Sequence, residues 1–407
     1  MRYTIGELAE IIDGDRGKNY PQQSEFMAEG YCLFLNTGNV TTSGFSFESS
    51  QFITKEKSDL LRKGKLRRRD IVYTTRGTVG NAGFFSESVP YEHIRINSGM
   101  VIIRPNESVV CTEFLYQILK SSYYRPYFQQ YCTGSAQPQL PIKNLSKIEL
   151  DIPALERQYQ IANILSAYDT LIENNQKQIK LLEEAAQRLY KEWFVDLRFP
   201  GHETTPIVDG VPEGWRVDRA DSFFDMSIGK TPPRTEKQWF TDGTTGTPWV
   251  SISDMGSTGV YVFHTSEGLT EDAISKHNIK VVSADTVLLS FKLTVGRVSI
   301  TTGNSCTNEA IAHFIIKDSA LREYVYLYLK CFEYDSLGNT SSISKAVNSK
   351  IVKGMPFIMP DTTVLSQFHQ VSRPIFDEIK NLQKVNINLV EARDRLLPKL
   401  MSGEIEV

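Results

Sequence analysis

The apolar residues of this chain fall into two successive copies of one pattern. In the first half, residues 70–75 and 99–103 are short runs rich in β-branched side chains that predict strands, and 112–119 has helical spacing. In the second half, 261–263, 286–290 and 311–316 predict strands, and 320–331 predicts a helix. Long polar loops rich in Thr, Ser and Gly separate these elements, and loops of that kind commonly carry function. Each half is therefore mixed α and β.

Each half then runs through a Pro-containing strand edge, Leu150-Asp-Ile-Pro153 and Phe357-Ile-Met-Pro360, into a long helical stretch. In the first stretch Leu165, Ile172, Ile179, Ala186 and Trp193 recur every seven residues. Tyr168, Asn175, Leu182 and Leu189 follow three residues behind the first four, giving an a/d seam sustained over four heptads. In the second stretch Ile375, Leu382, Leu389 and Leu396 form the stripe, and the companion row has Ile379 and Leu400 flanking Asn386 and Arg393. Asn175, Asn386 and Arg393 either fix helix register, as a buried Asn can, or are exposed. Proline is tolerated in a first helical turn and costly in an interior, so Pro374 predicts a break, with Ala167 as its counterpart. The expected helices are 155–166 and about 168–195, then 364–373 and about 375–397. At ~1.5 Å per residue each long helix would measure roughly 40 Å.

The repeat extends to particular residues. Asp70-Ile-Val-Tyr-Thr-Thr-Arg-Gly-Thr-Val-Gly80 returns as Asp285-Thr-Val-Leu-Leu-Ser-Phe-Lys-Leu-Thr-Val-Gly296, which starts 215 residues on, and Asp13-Gly14 and Ile228-Gly229 share that offset. Leu182, Ala185, Arg188 and Leu189 answer to Leu389, Ala392, Arg395 and Leu396 at an offset of 207. A period near half the chain is too long for a solenoid and indicates two copies of one module, each a globular part followed by a helix. Antiparallel pairing of the second helix with the first would bury its stripe and return the C-terminus beside the N-terminal module. The expected fold class is α+β: two similar α/β domains separated by a long antiparallel two-helix coiled coil, with a pseudo-two-fold internal repeat.

Composition narrows the function without naming it. At 407 residues, with 41% hydrophobic and 23% charged residues, two domains are the natural expectation. No stretch approaches a membrane span, and Met1-Arg2-Tyr3-Thr4 lacks the form of a secretory signal, which predicts a cytoplasmic protein with no membrane partner. Cys32, Cys111, Cys132, Cys306 and Cys331 are scattered and form no Cys-x-x-Cys pair, so neither a disulfide framework nor a zinc site is indicated. The histidines show no metal-ligand spacing, and His313 lies in an apolar strand, as a core histidine would. Gly229-Lys230-Thr231 has the ending of a phosphate-binding loop, but Phe224 takes the place of its first glycine and Pro232-Pro233 would disrupt the helix that must follow. With no nucleophile elbow and no dinucleotide fingerprint either, the chain reads as a binding protein and not an enzyme. Net charge is −3, yet residues 55–69 hold eight basic residues against two acidic ones, ending in Arg67-Arg68-Arg69. Such a run can neutralise several phosphates, or can be a solvated connection.

Several segments resemble a known family. Pro153-Ala-Leu-Glu-Arg-Gln158, Ile172-Glu-Asn-Asn175, Leu181-Leu-Glu-Glu-Ala-Ala-Gln-Arg-Leu-Tyr-Lys-Glu-Trp-Phe194 and Arg198-Phe-Pro-Gly201 are similar to the central conserved region of type I restriction-modification specificity subunits. Val211-Pro-Glu-Gly-Trp215 and Gly229-Lys-Thr-Pro-Pro-Arg234 resemble the opening of their second target-recognition domain, and Arg395-Leu-Leu-Pro-Lys-Leu-Met-Ser-Gly-Glu404 the end of their second helical region. The resemblance implies target-recognition domain 1 over 1–152, helical region 1 over 153–200, target-recognition domain 2 over 201–359 and helical region 2 over 360–407. It implies a non-catalytic subunit that binds double-stranded DNA, two methyltransferase (M) subunits and two restriction/translocase (R) subunits. No cofactor would belong to this chain; S-adenosylmethionine, ATP and magnesium would belong to the partners. Each head would read half of a split, asymmetric DNA sequence, with the coiled coil as a ruler for the gap, and roughly 40 Å is compatible with half-sites about one turn, ~34–36 Å, apart.

Base reading needs side chains such as Arg for guanine and Asn or Gln for adenine, together with phosphate contacts. Three regions per head are the candidates. The first is the Thr/Gly turn, Thr74, Thr75, Arg76 and Thr78, with Lys292, Thr294 and Arg297 in the second head. The second is the polar loop before each helical region, Thr133, Ser135, Gln137 and Gln139, and then Asn339, Ser341, Ser342 and Lys345. The third is the basic run Arg67, Arg68 and Arg69, with Lys230 and Arg234 in the second head. The alternative for each turn is simple hydrogen-bond closure by Thr and Gly. Tyr123, Tyr124, Tyr127 and Tyr131 either stack on DNA or form a helix face packed on strands, and Trp193, Phe194 and Phe199 are candidates for the partner interface. Two rivals stand beside the DNA reading: a coiled-coil scaffold with two ligand-binding heads and no DNA, and a fused enzyme with an unrecognised nuclease or methylase site.

Overall fold

The strands predicted from both halves are buried on both faces, which is why they read as continuous apolar runs instead of alternating ones. The computed structural model describes residues 1–47, 49–134, 137–337 and 348–406. It divides into two units, Met1–Ile172 with Asn388–Val407, and Glu173–Ile387.

In the first unit the main sheet is antiparallel, with strand order Ala9–Asp13, Met100–Pro105, Ile71–Thr74 and Ala82–Phe84. Successive residues of its central strands serve two cores. Ile71, Tyr73, Val101 and Ile103 cluster with Phe114 and Ile118 of the helix Thr112–Lys120. Val72, Met100 and Ile102 cluster with Leu33, Leu35 and Ile94 of a smaller sheet built from Cys32–Leu35, Phe52–Ile53 and Ile94–Ile96. Arg2–Thr4 pairs with Glu149–Asp151, joining the two ends of the domain. Residues 155–172 and 388–402 also lie in this unit, and Leu165, Leu397 and Leu400 share its helix-side core. Beside them the Asp169 carboxylate accepts from Gln117 Nε2 at 2.6 Å, from Arg393 Nη1 at 2.8 Å and from Lys120 Nζ.

The second unit repeats the scheme. Asp225–Ile228, Ile311–Ile315, Val287–Ser290 and Val298–Thr301 form the same antiparallel order, and Tyr261–Val262 adds a fifth, parallel strand. Val287, Leu289 and Phe314 cluster with Val325 and Leu329 of the helix Arg322–Cys331, whereas Leu288 and Ile311 cluster with Val250 and Met255 on the opposite face. Arg216–Arg219 pairs with Pro356–Met359. His313 is a satisfied core histidine: its Nδ1 lies 2.8 Å from Ser227 Oγ and its Nε2 2.7 Å from Thr307 Oγ1. Burial pushes its pKa down to about 4, with the charge of Lys280 acting in the same sense.

Two expectations are corrected. The breaks at Ala167 and Pro374 are absent: the long helices run without interruption over Leu155–Tyr190, 36 residues, and Thr362–Ser402, 41 residues, the first ending in a π-helical turn, Lys191–Val195. Pro374 removes one backbone donor, but it lies on the exposed face, where water can reach the unpaired carbonyl, while buried Phe368, Phe376 and Ile379 hold the helix on either side. Phe194 and Phe199, candidates for a partner interface, are buried instead, with Trp215 at ring-centroid distances of 5.8 and 5.2 Å. Trp193 packs on Phe368 at 5.6 Å.

Gly229 is fixed by packing. A β-carbon there would lie 2.2 Å from the Asn308 carbonyl oxygen, and one on Gly14 would lie 2.4 Å from that of Asn97. The glycines thus allow the same close approach at the end of the same strand in each unit.

Candidate nucleic-acid interface

The two Thr/Gly turns are built by one clamp. In the first, the fully buried Thr74 hydroxyl donates to the Thr78 carbonyl and accepts from the Asn81 amide at 2.9 Å, and the Gly80 amide donates to the Thr74 carbonyl at 3.1 Å. In the second, the fully buried Ser290 hydroxyl donates to the Thr294 carbonyl at 2.6 Å and accepts from the Arg297 amide at 3.0 Å, with Gly296 donating to the Ser290 carbonyl at 3.0 Å. The clamp aligns Thr74 with Ser290, 216 residues on, so the turns are displaced by one from the offset of 215 read in the sequence, while Gly14 and Gly229 keep it. Arg76, Gly77 and Thr78 therefore correspond to Lys292, Leu293 and Thr294, and all six are exposed. Gly77 has φ 71° and Leu293 φ 61°: the tip requires a left-handed residue, and the second turn places a leucine there at a cost of about 1 kcal/mol.

Thr75 is buried, its hydroxyl on the Gly99 carbonyl at 3.1 Å. The polar loop meets the first turn. Gln139 exchanges backbone hydrogen bonds with Thr133 at 2.7 and 2.9 Å and bridges to Arg76, and the Leu140 amide donates to the Thr75 carbonyl at 2.9 Å. Gln137 is exposed beside them. Ser135 lies outside the described residues, as do Asn339, Ser341, Ser342 and Lys345 of the second head.

The basic residues divide by partner. Arg68 is half-buried; its Nη1 donates to the Ser86 carbonyl at 2.6 Å and the Val89 carbonyl at 3.1 Å, and the guanidinium stacks 4.2 Å from the Phe85 ring centroid. Arg69, at φ 72°, pairs with Glu113 at 2.8 and 3.0 Å and also with Glu107, and these hydrogen bonds raise its pKa. Arg234 Nη1 donates to both carboxylate oxygens of Glu267, at 2.7 and 2.8 Å, and the guanidinium lies over Phe240 and Trp249. Lys230 Nζ donates to the His277 carbonyl at 2.6 Å, and Arg297 Nη1 to that of Ile252 at 2.5 Å. Among the described residues, Arg67 and Arg76 are exposed and form no ion pair, and Lys292 is exposed at its tip. Tyr124, Tyr127 and Tyr131 pack partly against the first unit's core, leaving Tyr123 59% exposed. Among the described residues, no group of His, Cys, Asp and Glu could hold a metal ion, and no helix is long and apolar enough to cross a membrane.

Residues 1–184 and 212–389 each match the type I restriction modification DNA specificity domain. The chain belongs to that family. The specificity subunit of the HindI type I restriction enzyme of Haemophilus influenzae is 24% identical, over 98% of this chain and 100% of that one. The MjaIX specificity subunit of Methanocaldococcus jannaschii is 28% identical, over 83% of this chain and 78% of its own length. A crystal structure of a type I restriction-modification S subunit from M. genitalium shares the fold, with a TM-score of 0.51 at 14% identity over 98% of this chain and 96% of that one.

Sequence reasoning sets Phe-Lys-Leu293 against Thr-Thr-Arg76 as a place where the two heads differ, but leaves Leu293 itself out of the candidate residues, which include its neighbours Lys292 and Thr294. Under the offset of 215 Gly77 faces Lys292 and Thr78 faces the leucine; the Thr74 and Ser290 clamps, like the Thr-Val-Gly endings 216 residues apart, pair Gly77 with Leu293 instead. Two supporting side chains were also missed. Arg125 Nη2 donates to the Gly80 carbonyl at 3.1 Å, and Asn81 Nδ2 to that of Val40 at 2.9 Å, bracing the first turn from outside the motif.

Proposed function

We propose that this chain is the non-catalytic, sequence-reading subunit of a type I restriction-modification complex. It binds double-stranded DNA at a bipartite, asymmetric site, one half-site per head, with the paired helices acting as a coiled-coil ruler for the gap. It docks two methyltransferase subunits, which use S-adenosylmethionine, and two restriction/translocase subunits, which use ATP and magnesium, in the cytoplasm. The observation that carries this reading is the shared clamp with unlike tips: Arg76-Gly77-Thr78 against Lys292-Leu293-Thr294. One scaffold displays two different sets of donors and apolar groups, which is what reading two different half-sites requires. The domains proposed for this work are 1–152 and 201–359 as readers, with 153–200 and 360–407 as helical regions. Asn175 and Asn386, hydrogen-bonded at 2.8 Å, and the Asp169–Arg393 ion pair support antiparallel pairing of the helices within each unit.

The test is methylation of a random DNA library by the chain co-purified with its methyltransferase partner. A bipartite motif with a fixed gap is expected. One continuous motif, or none, would sink the two-headed ruler, and salt-insensitive binding without sequence preference would favour a scaffold with other ligands. Exchanging residues 1–152 for another head should change one half-site only.

A further inference from the structure

Among the described residues, no packing accounts for Leu293. It is 97% exposed, is left-handed where the first turn has glycine, and stands between the exposed Lys292 and Thr294. The Ser290 clamp fixes the turn beneath it, and Arg297 ties the turn's base to the Ile252 carbonyl. A leucine here gains nothing from burial and carries a conformation that glycine adopts freely. An apolar surface meeting the tip offsets both costs. On DNA the apolar surfaces within reach of a narrow, projecting turn are thymine 5-methyl groups and the faces of bases opened at a flexible step.

We infer that Leu293 is a specificity-determining residue that makes an apolar contact to a base in the half-site read by the second head. This rests on the DNA-reading function proposed above and adds the residue and the kind of contact. Lys292, one position away and exposed, is placed to meet a neighbouring phosphate. Gly77 gives the first head no equivalent side chain, so the two half-sites are read in different ways: one tip offers a leucine, the other the Arg76 guanidinium.

The experiment uses the full chain with its methyltransferase partner and compares wild type with L293G on a randomised DNA library. Glycine keeps the left-handed tip, and the strain it relieves is offset by its larger loss of conformational freedom on folding, so the thermal melt should change little. The variant should lose about tenfold in discrimination at one base pair of the second half-site, within the range for a single base contact, and the first half-site should be unaffected. Binding of wild type to probes with uracil in place of thymine, or with 2-aminopurine beside the contacted step, then separates the sources: a loss with uracil identifies the methyl group, and a fluorescence rise on binding identifies insertion. If wild type yields a bipartite motif and L293G yields the same motif with the same discrimination, the assignment of Leu293 is overturned. If wild type yields no motif, the DNA-reading function itself falls.

Discussion

The side-chain amide of Asn175 donates to the side-chain carbonyl of Asn386 at 2.8 Å, linking the two long helices inside the second unit. Both residues interrupt an otherwise apolar seam, and both are half-buried. A polar pair of this kind contributes little net stability, but either partner left alone loses its hydrogen bond and keeps its desolvation cost. N386L should therefore cost about 1 kcal/mol, and N175L/N386L should recover most of that. Urea denaturation of the four-member cycle measures the coupling; additive losses would show that the pair does not act as a unit.

The Asp169 carboxylate carries a heavier burden in the first unit, because Lys120 and Arg393 are both largely buried and both turn to it. D169N leaves two buried cations facing a neutral amide and should cost about 3 kcal/mol. Burial alone would raise the Asp169 pKa, but Lys120, Arg393 and the Gln117 hydrogen bond outweigh it and hold the carboxyl below its ordinary value. A carboxyl with a depressed native pKa contributes stability that is present above the unfolded value, about 3.9, and is lost as pH falls through the native one. Denaturation curves below pH 4 should thus show wild type converging on D169N; a constant difference down to pH 2 would contradict the assignment.

The strands were legible because they are buried on both faces, so that Ile71–Thr74 and Val287–Ser290 announce themselves by composition. The long helices were legible from their seven-residue stripe, but their continuity was not: Pro374 argues for a break on local grounds, and only its exposed position shows why the helix tolerates it. The partners of the basic residues were illegible for another reason. Arg69 meets Glu107 and Glu113, and Arg234 meets Glu267, through contacts 33 to 44 residues apart in sequence, and charge counting sees a cation without its carboxylate. The offset of 215 comes from matching Asp70 with Asp285, whereas the shared Thr-Val-Gly endings already lie 216 apart and agree with the buried hydroxyls of Thr74 and Ser290, which set the structural equivalence.

His313 makes the second unit sensitive to mild acid. Its native pKa of about 4 lies below the unfolded value of about 6.5. Between the two the unfolded chain binds the extra proton, so stability rises with pH across that window and falls as pH drops through it. About 2 kcal/mol should be lost between pH 7 and pH 5. H313Q removes the titrating group, so the difference in unfolding free energy between wild type and H313Q should change by that amount over the same interval. A flat difference would mean that the buried ring is not kept neutral by its site.

Arg68 and Arg76 are eight positions apart in sequence and should separate cleanly by experiment. The Arg68 guanidinium donates to three carbonyls of the loop at 86–91 and stacks on Phe85, so R68A should lower stability by about 1–3 kcal/mol. Its effect on DNA affinity should vanish once the folded fraction is corrected for. Arg76 stands exposed at the first tip, with no ion pair among the described residues, so R76A should change stability by less than about 0.5 kcal/mol. The same variant should either relax one position of the first half-site by about 1–3 kcal/mol, if the guanidinium reads a base, or lower the salt slope of binding by about one, if it meets a phosphate. Thermal melts and binding isotherms at three salt concentrations decide between these outcomes. R76A that unfolds the protein without touching affinity, or R68A that does the reverse, would place the DNA-contacting surface elsewhere than the tip of this turn.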